Sequence, residues 1–371
     1  MHVGFVSQNI YPHDYETRLT KAARMLLRAG HRVTVFSKGT SDEMRDGVAI
    51  RRLNANTLPI NPRWFFWLAK ILARESVDVA IVRDLRLAPA TILAGRRAGI
   101  PVVMDSGENH PAHVAALGKQ RLGHYIIRNT RLVAALERWC VRRADEVWVV
   151  AEANRRRLAA MARVGITIRL IRNVPDLDAV PGSRPQRAAR GTRMRLVYLG
   201  ILDNLRGLDM LLQAVAKTKD VELVLVGDGS ERAGLESQAR ALGIDARVRF
   251  RGWVSGPARF QELWAADVGV IPHRVNHLTQ TTEPNKLFDY MMCELPVLST
   301  PLDPVRAVLE EERCGTIADC APDAWAAAIA ALAADPAERA AMGARGRRAV
   351  LERYNWERES RQLLAALAEL T

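Results

Sequence analysis

The sequence predicts an α/β chain of two doubly wound domains in tandem, and three observations carry that expectation. Short apolar strands alternate with amphipathic helices from the first residues onward, the βαβ pattern of a parallel sheet. The stretch 176–192, DLDAVPGSRPQRAARGT, breaks the alternation with Pro, Gly and Arg and no periodicity, as a linker does. The alternation then restarts at Met194. The predicted organisation is an N-terminal Rossmann-like domain over 1–175, a linker over 176–192 and a C-terminal Rossmann-like domain over 193–355. A final helix, 356–371, is expected to pack back on the first domain. A length of 371 residues gives each half enough chain to bury its own core.

Taken in order, His2–Ser7 reads as a buried strand followed by a polar turn through Tyr11 and Asp14. Leu19, Ala22, Ala23, Leu26 and Leu27 fall at helical spacing between Glu16 and Arg28, and Gly30 stops that helix. Strands follow at 31–37, 48–53, 77–84, 101–108, 146–152 and 167–173. Helices are expected at 62–75, 88–98, 130–143 and 154–162. In the second half the strands are 194–200, 221–229, 248–254, 268–273 and a short one at 295–300. Helices fall at 208–217, 231–242 and 257–265, and the tail from Pro322 is helical with a break at Asn355.

The second half is organised around 281–300, TTEPNKLFDYMMCELPVLST. Pro284 suits the first turn of a helix, where its missing N–H costs nothing. Leu287, Phe288, Met291, Met292 and Leu295 form one buried helical face, and Pro296 ends the helix. Lys286 and Asp289 lie three apart on the other side, with Glu283 and Asn285 just before them. A cation, two carboxylates and a helix start gathered at one place suit a nucleotide diphosphate and its ribose hydroxyls. A solvated surface helix is the plain alternative.

Composition narrows the partners. Hydrophobic residues at 49% and charged residues at 26% describe a soluble globular chain. A formal net charge of +13, from 54 Lys plus Arg against 41 Asp plus Glu, favours anionic partners. The basic residues scatter over both halves without an aromatic-basic groove, so nucleic acid is disfavoured. The four cysteines have neither CxxC pairing nor metal-like spacing, which fits a reducing cytosol. With no signal peptide at the start and no run long enough to span a bilayer, a cytoplasmic location is expected. The helix at 61–74, NPRWFFWLAKILAR, sets Trp64, Phe65, Phe66 and Trp67 beside Arg63, Lys70 and Arg74. That mixture suits peripheral contact with a membrane surface, the plainer reading being a core helix with one charged face.

Other candidates stand at strand ends. Gly200 and Arg206 in GILDNLRG offer close backbone approach and a bidentate phosphate ligand. Gly227 in VGDGS, and Trp253 with Val254 in RGWV, follow the next two strands. In the first half, MDSGENHPAH (104–113) concentrates Asp105, Glu108, His110 and His113, groups suited to acid/base work or hydroxyl binding. Asp14 and Arg18 in HDYETR suit a charged acceptor group. No zinc spacing of histidines and no Ser-His-Asp order is readable.

These residues together resemble the family 4 glycosyltransferases of GT-B fold: a Gly-then-basic turn, VGDG, FRGWV, the DVGVIP strand and the PNKLFDYMMCELPV block. The resemblance runs over essentially the whole chain and is strongest from Met194 to Pro301. It implies two Rossmann-like domains facing across a cleft, and retaining transfer of a sugar from a nucleotide-sugar without a bound metal. Asp289 falls where that family binds ribose, as the second acid of its E-x7-E signature. The position of the first acid is Thr281, and Glu283 stands nearby out of register. Arg206 matches the basic residue before glycine, Ile201 stands where an arginine is frequent, and Lys286 supplies the second charge for the diphosphate. The HD or HE pair of the N-domain loop is Gly107-Glu108, leaving Glu108 as the match and His110 as the substitute imidazole.

The expected function is therefore transfer from a UDP- or GDP-sugar to a saccharide or lipid-linked acceptor in polysaccharide or glycolipid assembly. Glu108, His110, Arg206 and Lys286 form the expected catalytic set. Gly200, Arg206, Gly227, Trp253, Val254, Glu283, Asn285, Lys286 and Asp289 are the expected donor contacts, and Asp14, Arg18 and His113 the acceptor contacts. No separate cofactor and no metal are expected. The alternatives are a nucleotide-sugar epimerase of the same fold, which turns over donor alone, and a non-catalytic nucleotide-binding scaffold.

Overall fold

The computed structural model describes residues 1–9, 11, 17–58, 61–116, 129–181, 193–254 and 256–371. Asp14 and residues 182–192 of the linker lie outside the described residues. The chain divides into two compact units, Met1–Asn173 with Glu359–Thr371, and Val174–Arg358.

Unit 1 runs β1 (His2–Ser7), α1 (Arg18–Arg28), β2 (Arg32–Lys38), β3 (Glu43–Arg45), β4 (Val48–Leu53), α2 (Pro62–Arg74), β5 (Val79–Val82) and α3 (Ala88–Ala98). It continues with β6 (Val102–Ser106), α4 (His110–Ala116), α5 (Thr130–Val141), β7 (Glu146–Val149), α6 (Glu152–Ala159) and β8 (Thr167–Leu170). The strands form one sheet in the order β3-β4-β2-β1-β5-β6-β7-β8, parallel except for the β3–β4 pair. That pair is a hairpin turned by Asp46 (φ 49°) and Gly47 (φ 79°), both in the left-handed region that a tight hairpin turn needs. β1, β5, β6 and β7 are buried along their whole length, because helices cover both faces of a parallel sheet.

In α2 the aromatic residues divide between core and surface. Trp64, Leu68 and Leu72 are fully buried, and Trp64 Nε1 donates to Asn56 C=O at 2.8 Å. Trp67 stacks edge-on against both Phe36 and Trp64. Phe66 is 68% exposed, among the exposed Arg63, Lys70 and Arg74.

Unit 2 runs β9 (Met194–Leu199), α7 (Leu208–Ala216), β10 (Val221–Val226), α8 (Arg232–Ala241), β11 (Val248–Gly252), α9 (Ala258–Trp264) and β12 (Val268–Ile271). Then follow α10 (Lys286–Met292), β13 (Val297–Ser299), α11 (Asp303–Glu312), β14 (Gly315–Ile317), α12 (Pro322–Ala334), α13 (Pro336–Glu352) and α14 (Trp356–Leu370). The sheet is parallel throughout, in the order β11-β10-β9-β12-β13-β14. α14 starts in unit 2, and from Glu359 onward its residues belong to unit 1, where Glu359 accepts the Arg172 N–H at 2.8 Å.

Both sheets reverse their winding direction once. In unit 1 the reversal lies at β1, between β2 and β5; in unit 2 it lies at β9, between β10 and β12. Ligands of open α/β sheets bind outside the carboxyl ends of the strands at such points. α10 is shorter than its sequence pattern suggests. It spans seven residues, and Pro284 and Asn285 precede it rather than begin it. Its apolar face is nevertheless where expected, with Leu287, Phe288 and Met291 buried, each worth about 1.5–3 kcal/mol of burial. No helix among the described residues is long and apolar enough to cross a membrane.

Candidate functional site

The winding reversal of unit 2 is built from glycines because backbones meet there. Gly227 (φ 146°) lies so close to the β9 exit that a Cβ on it would stand 1.9 Å from Gly200 C=O. Gly200 N–H donates to Val226 C=O at 2.9 Å and Leu202 N–H to Asp228 C=O at 3.0 Å, fastening the two exits together. Gly200 itself has φ 136°, and a Cβ there would sit 3.0 Å from Lys286 Nζ. A side chain at either position would displace backbone or the ammonium, so glycine is required by contact as well as by φ.

Into this gap comes Lys286. Its ammonium lies 3.9 Å over the Tyr198 ring and 3.3 Å from His273 Nε2. Tyr198 belongs to β9 and His273 follows β12, so Lys286 bridges the two strands that flank the reversal. Arg206 reaches the same place from a short turn, Asn204–Arg206, that Asp203 caps by accepting Leu205 N–H at 2.9 Å. Gly207 (φ 60°) then starts α7, and a Cβ there would lie 2.1 Å from Pro272 C=O. Arg206 Nε donates to Asp203 at 3.3 Å, which steadies the guanidinium.

Burial and the Arg206 charge hold the Lys286 ammonium well below its ordinary pKa, against the pull of Asp203 and Asp289. Burial, then Lys286 and Arg206, likewise push the His273 imidazole well down, so it is neutral near pH 7 and accepts from the ammonium through Nε2. No described carboxylate lies within ion-pair distance of Lys286. Lys286, without a carboxylate partner of its own, stands near Arg206, and an anion seated beside it would favour its charged form.

Asp289 sits one helical turn after Lys286, 4.0 Å from Arg259 and with 16% of its side chain exposed. Glu283 is buried, Asn285 is exposed, and Thr281 Oγ1 donates to His277 C=O at 2.7 Å. Beyond β11, Trp253 is 56% exposed and Val254 packs against the core that includes Phe288. Thus Gly200, Gly227, Arg206, Lys286 and Asp289 gather around one reversal, while Trp253 stands open to solvent near the neighbouring strand end.

In unit 1 the expected residues separate into two groups. Arg18 is 2% exposed: Nε donates to Asp105 at 3.0 Å, and Nη1 donates to the Ile171 and Arg172 carbonyls at 2.6 and 3.1 Å. It is a buried tie from α1 to the ends of β6 and β8. Its Nε and Nη1 are engaged inside unit 1, where it lines a small cavity with Asp105 and Trp148. Glu108 and His113 form an exposed pair at 2.8 Å, and that hydrogen bond holds the Glu108 carboxyl below its usual range. His110 turns inward; burial lowers its pKa, and its Nε2 is buried without a hydrogen-bond partner.

Sequence reasoning missed Asp84, which follows β5 at the reversal of unit 1. Its carboxylate accepts from Gln8 N–H at 2.7 Å and Ser7 Oγ at 3.3 Å, and burial raises its pKa. It missed His273 and Tyr198 as well. The available signal was positional, since each of these three lies at the carboxyl end of a strand beside a winding reversal. Among the described residues no three His, Cys, Asp or Glu side chains gather as metal ligands.

Two family models match the chain: a glycosyl transferase 4-like domain over residues 15–174 and glycosyl transferases group 1 over residues 193–335. The D-inositol 3-phosphate glycosyltransferase of Xylanimonas cellulosilytica is 28% identical over 213 residues, 53% of this chain and 50% of that protein. The matched part thus spans half the length of that relative. The GDP-mannose-dependent alpha-(1-6)-phosphatidylinositol monomannoside mannosyltransferase of Mycolicibacterium smegmatis is 27% identical, covering 79% of this chain and 76% of that one. Among solved structures, sucrose-phosphate synthase from Thermosynechococcus elongatus superposes with a TM-score of 0.84 at 18% identity, over 100% of this chain and 98% of the other. At that identity the likeness speaks for the fold.

Proposed function

This chain belongs to the family 4 glycosyltransferases of GT-B fold, and from that premise we propose that it transfers a sugar, with retention, from a nucleoside-diphosphate sugar to a saccharide or lipid-linked acceptor. Unit 2 takes the donor and unit 1 the acceptor. The observation that carries this reading is the buried Lys286 ammonium over Tyr198, with Arg206 nearby on the facing turn. A diphosphate seated there restores the charged form of Lys286. As the glycosidic bond breaks, charge grows on the leaving β-phosphate, where Lys286 and Arg206 stabilise it most. With departure and attack on one face of the sugar, that phosphate oxygen takes the acceptor hydroxyl proton. Asp289 accepts from the ribose hydroxyls, and the Gly200–Gly227 contact lets the diphosphate approach the backbone closely. Transfer in this scheme uses no bound metal.

In unit 1, Glu108 and His113 hold acceptor hydroxyls. The names of the two relatives, one acting on an inositol phosphate and one on a phosphatidylinositol mannoside, support a phosphorylated or lipid-linked acceptor in cell-surface glycolipid or polysaccharide assembly. The outward face of α2, with Phe66 among Arg63, Lys70 and Arg74, then meets anionic lipid at the cytoplasmic side of the membrane.

A thermal-shift panel of UDP-, GDP-, ADP- and dTDP-sugars tests the donor assignment. One nucleotide class is expected to raise the melting temperature selectively, since a ligand that binds only the folded state stabilises it by mass action. No shift with any of them would refute it. Consumption of donor in the absence of acceptor, with an epimerised product, would favour the epimerase.

A further inference from the structure

The two strands that flank the unit 2 reversal part before they end. Toward β13, β12 stays paired to its last residue, through Gly269↔Val297, Val270↔Leu298 and Ile271↔Ser299. Toward β9 the pairing covers Val268↔Leu196 and Gly269↔Val197 and then stops. Val270 and Leu199 lie past the last pair, where backbone groups inside a sheet need other partners.

One side chain supplies them. Leu199 N–H donates to Tyr290 Oη at 2.8 Å, and Tyr290 Oη donates to Val270 C=O at 3.3 Å. A single phenol oxygen thus bridges the strands where their ladder has ended. Tyr290 is fully buried, and burial holds its hydroxyl well above the ordinary phenol pKa, so it keeps the proton it donates. The ring lies against Gly269, where a Cβ would stand 2.4 Å from its Cγ and Cδ2, so glycine is what admits it.

Tyr290 and Lys286 stand at i+4 and i on α10, one helical turn apart on the same side, so seating the ring fixes the height of the lysine. The gap that Tyr290 bridges is also the one that Lys286 enters, its ammonium over Tyr198 and beside His273. We propose that Tyr290 is a positioning residue of the donor site: its hydroxyl spans β9 and β12 beyond their last pair and sets α10 at the depth that places the Lys286 ammonium between Tyr198 and His273. The role rests on the reading of Lys286 as a diphosphate ligand. Tyr290 itself touches no reacting atom in that scheme and acts through Lys286.

The test is read without ligand. In protein carrying 13Cε-labelled lysine, the Lys286 signal is identified by its loss in Lys286→Met, and its titration follows the ammonium directly. The native chain is expected to titrate below the ordinary lysine range, because burial and Arg206 oppose the charge. Tyr290→Phe removes the bridge, and Gly269→Ala expels the ring. Each is expected to loosen the gap, admit water to the ammonium and raise its titration by about one pH unit or more. Arg206 and Asp203 face the ammonium from the turn before α7 and Asp289 from α10, and the substitutions leave all three in place. Pyrophosphate affinity by calorimetry should fall about tenfold in Tyr290→Phe. Leu235→Ala, at a buried position of α8, should lower the melting temperature and leave both readings at their native values. A Lys286 titration that Tyr290→Phe leaves unchanged, or that Leu235→Ala moves equally, would overturn the proposal. If the titration behaved as expected while the native chain bound no pyrophosphate, the positioning of Lys286 would stand and the diphosphate reading would fall.

Discussion

Raising the pH is expected to weaken nucleoside-diphosphate binding through one residue, Lys286. In the empty site burial and Arg206 depress its ammonium well below the ordinary lysine value of 10.5. A bound diphosphate reverses the Arg206 repulsion and restores the charged form, so the complex holds one more proton than the free protein between the two pKa values. The sign follows: affinity is highest below the depressed pKa and falls as pH rises through the window. The slope is about tenfold, or about 1.4 kcal/mol, per pH unit. Of the groups beside the ammonium, burial and the neighbouring cations keep His273 neutral, and burial holds the Tyr198 hydroxyl protonated. Calorimetric titration of the preferred nucleotide in two buffers of different ionisation enthalpy reads the proton count directly. About one proton taken up per nucleotide is expected between the depressed and the restored pKa, and none in Lys286→Met. Zero uptake by the native chain, or proton release, would refute the reasoning.

Four further outcomes follow from the same geometry. Gly200→Ala forces an L-residue to φ 136° and a Cβ to 3.0 Å from the ammonium; it should cost about 1–3 kcal/mol of stability and weaken nucleotide binding, read by denaturant melts and titration. Asp289→Asn should reduce affinity for the nucleoside diphosphate while leaving inorganic pyrophosphate binding unchanged, since only the former carries a ribose. Arg18→Ala strands the buried Asp105 carboxylate and should destabilise the chain by about 3–5 kcal/mol in urea unfolding. Phe66→Glu with Lys70→Glu should abolish co-flotation with anionic vesicles and leave transfer to a water-soluble acceptor intact.

The parts of the fold that were legible are those where both faces of a strand are buried. MRLVYL at 194–199 and VELVLV at 221–226 are apolar runs bounded by glycine, and a run buried on both faces needs no alternation to be recognised. The hairpin of β3 was missed although Asp46-Gly47 is a strong turn signal, because EMR carries no apolar pattern and is exposed throughout. α11 and β14 were missed for different reasons. α11 ends in three consecutive glutamates that blur its face, and β14 has only three residues.

The site was legible where chemistry is local. Lys286 and Asp289 share one short helix, and the glycines at 200 and 227 mark strand ends, so spacing alone brings them into view. The burial of Arg18 was not legible because arginine is seldom fully buried, and its partner Asp105 lies 87 residues further along the chain. His273 was invisible for the same reason. Its role comes from a lysine thirteen positions later that folds back over Tyr198, and only the packing of α10 against β12 makes them neighbours.

The most direct test is a structure of the chain with the nucleoside diphosphate that the thermal panel selects. The expected result places diphosphate oxygens within hydrogen-bonding reach of Lys286 Nζ and the Arg206 guanidinium, beside Gly200, with the ribose hydroxyls on Asp289. A diphosphate bound elsewhere, with Lys286 still resting on Tyr198 and His273, would contradict the account.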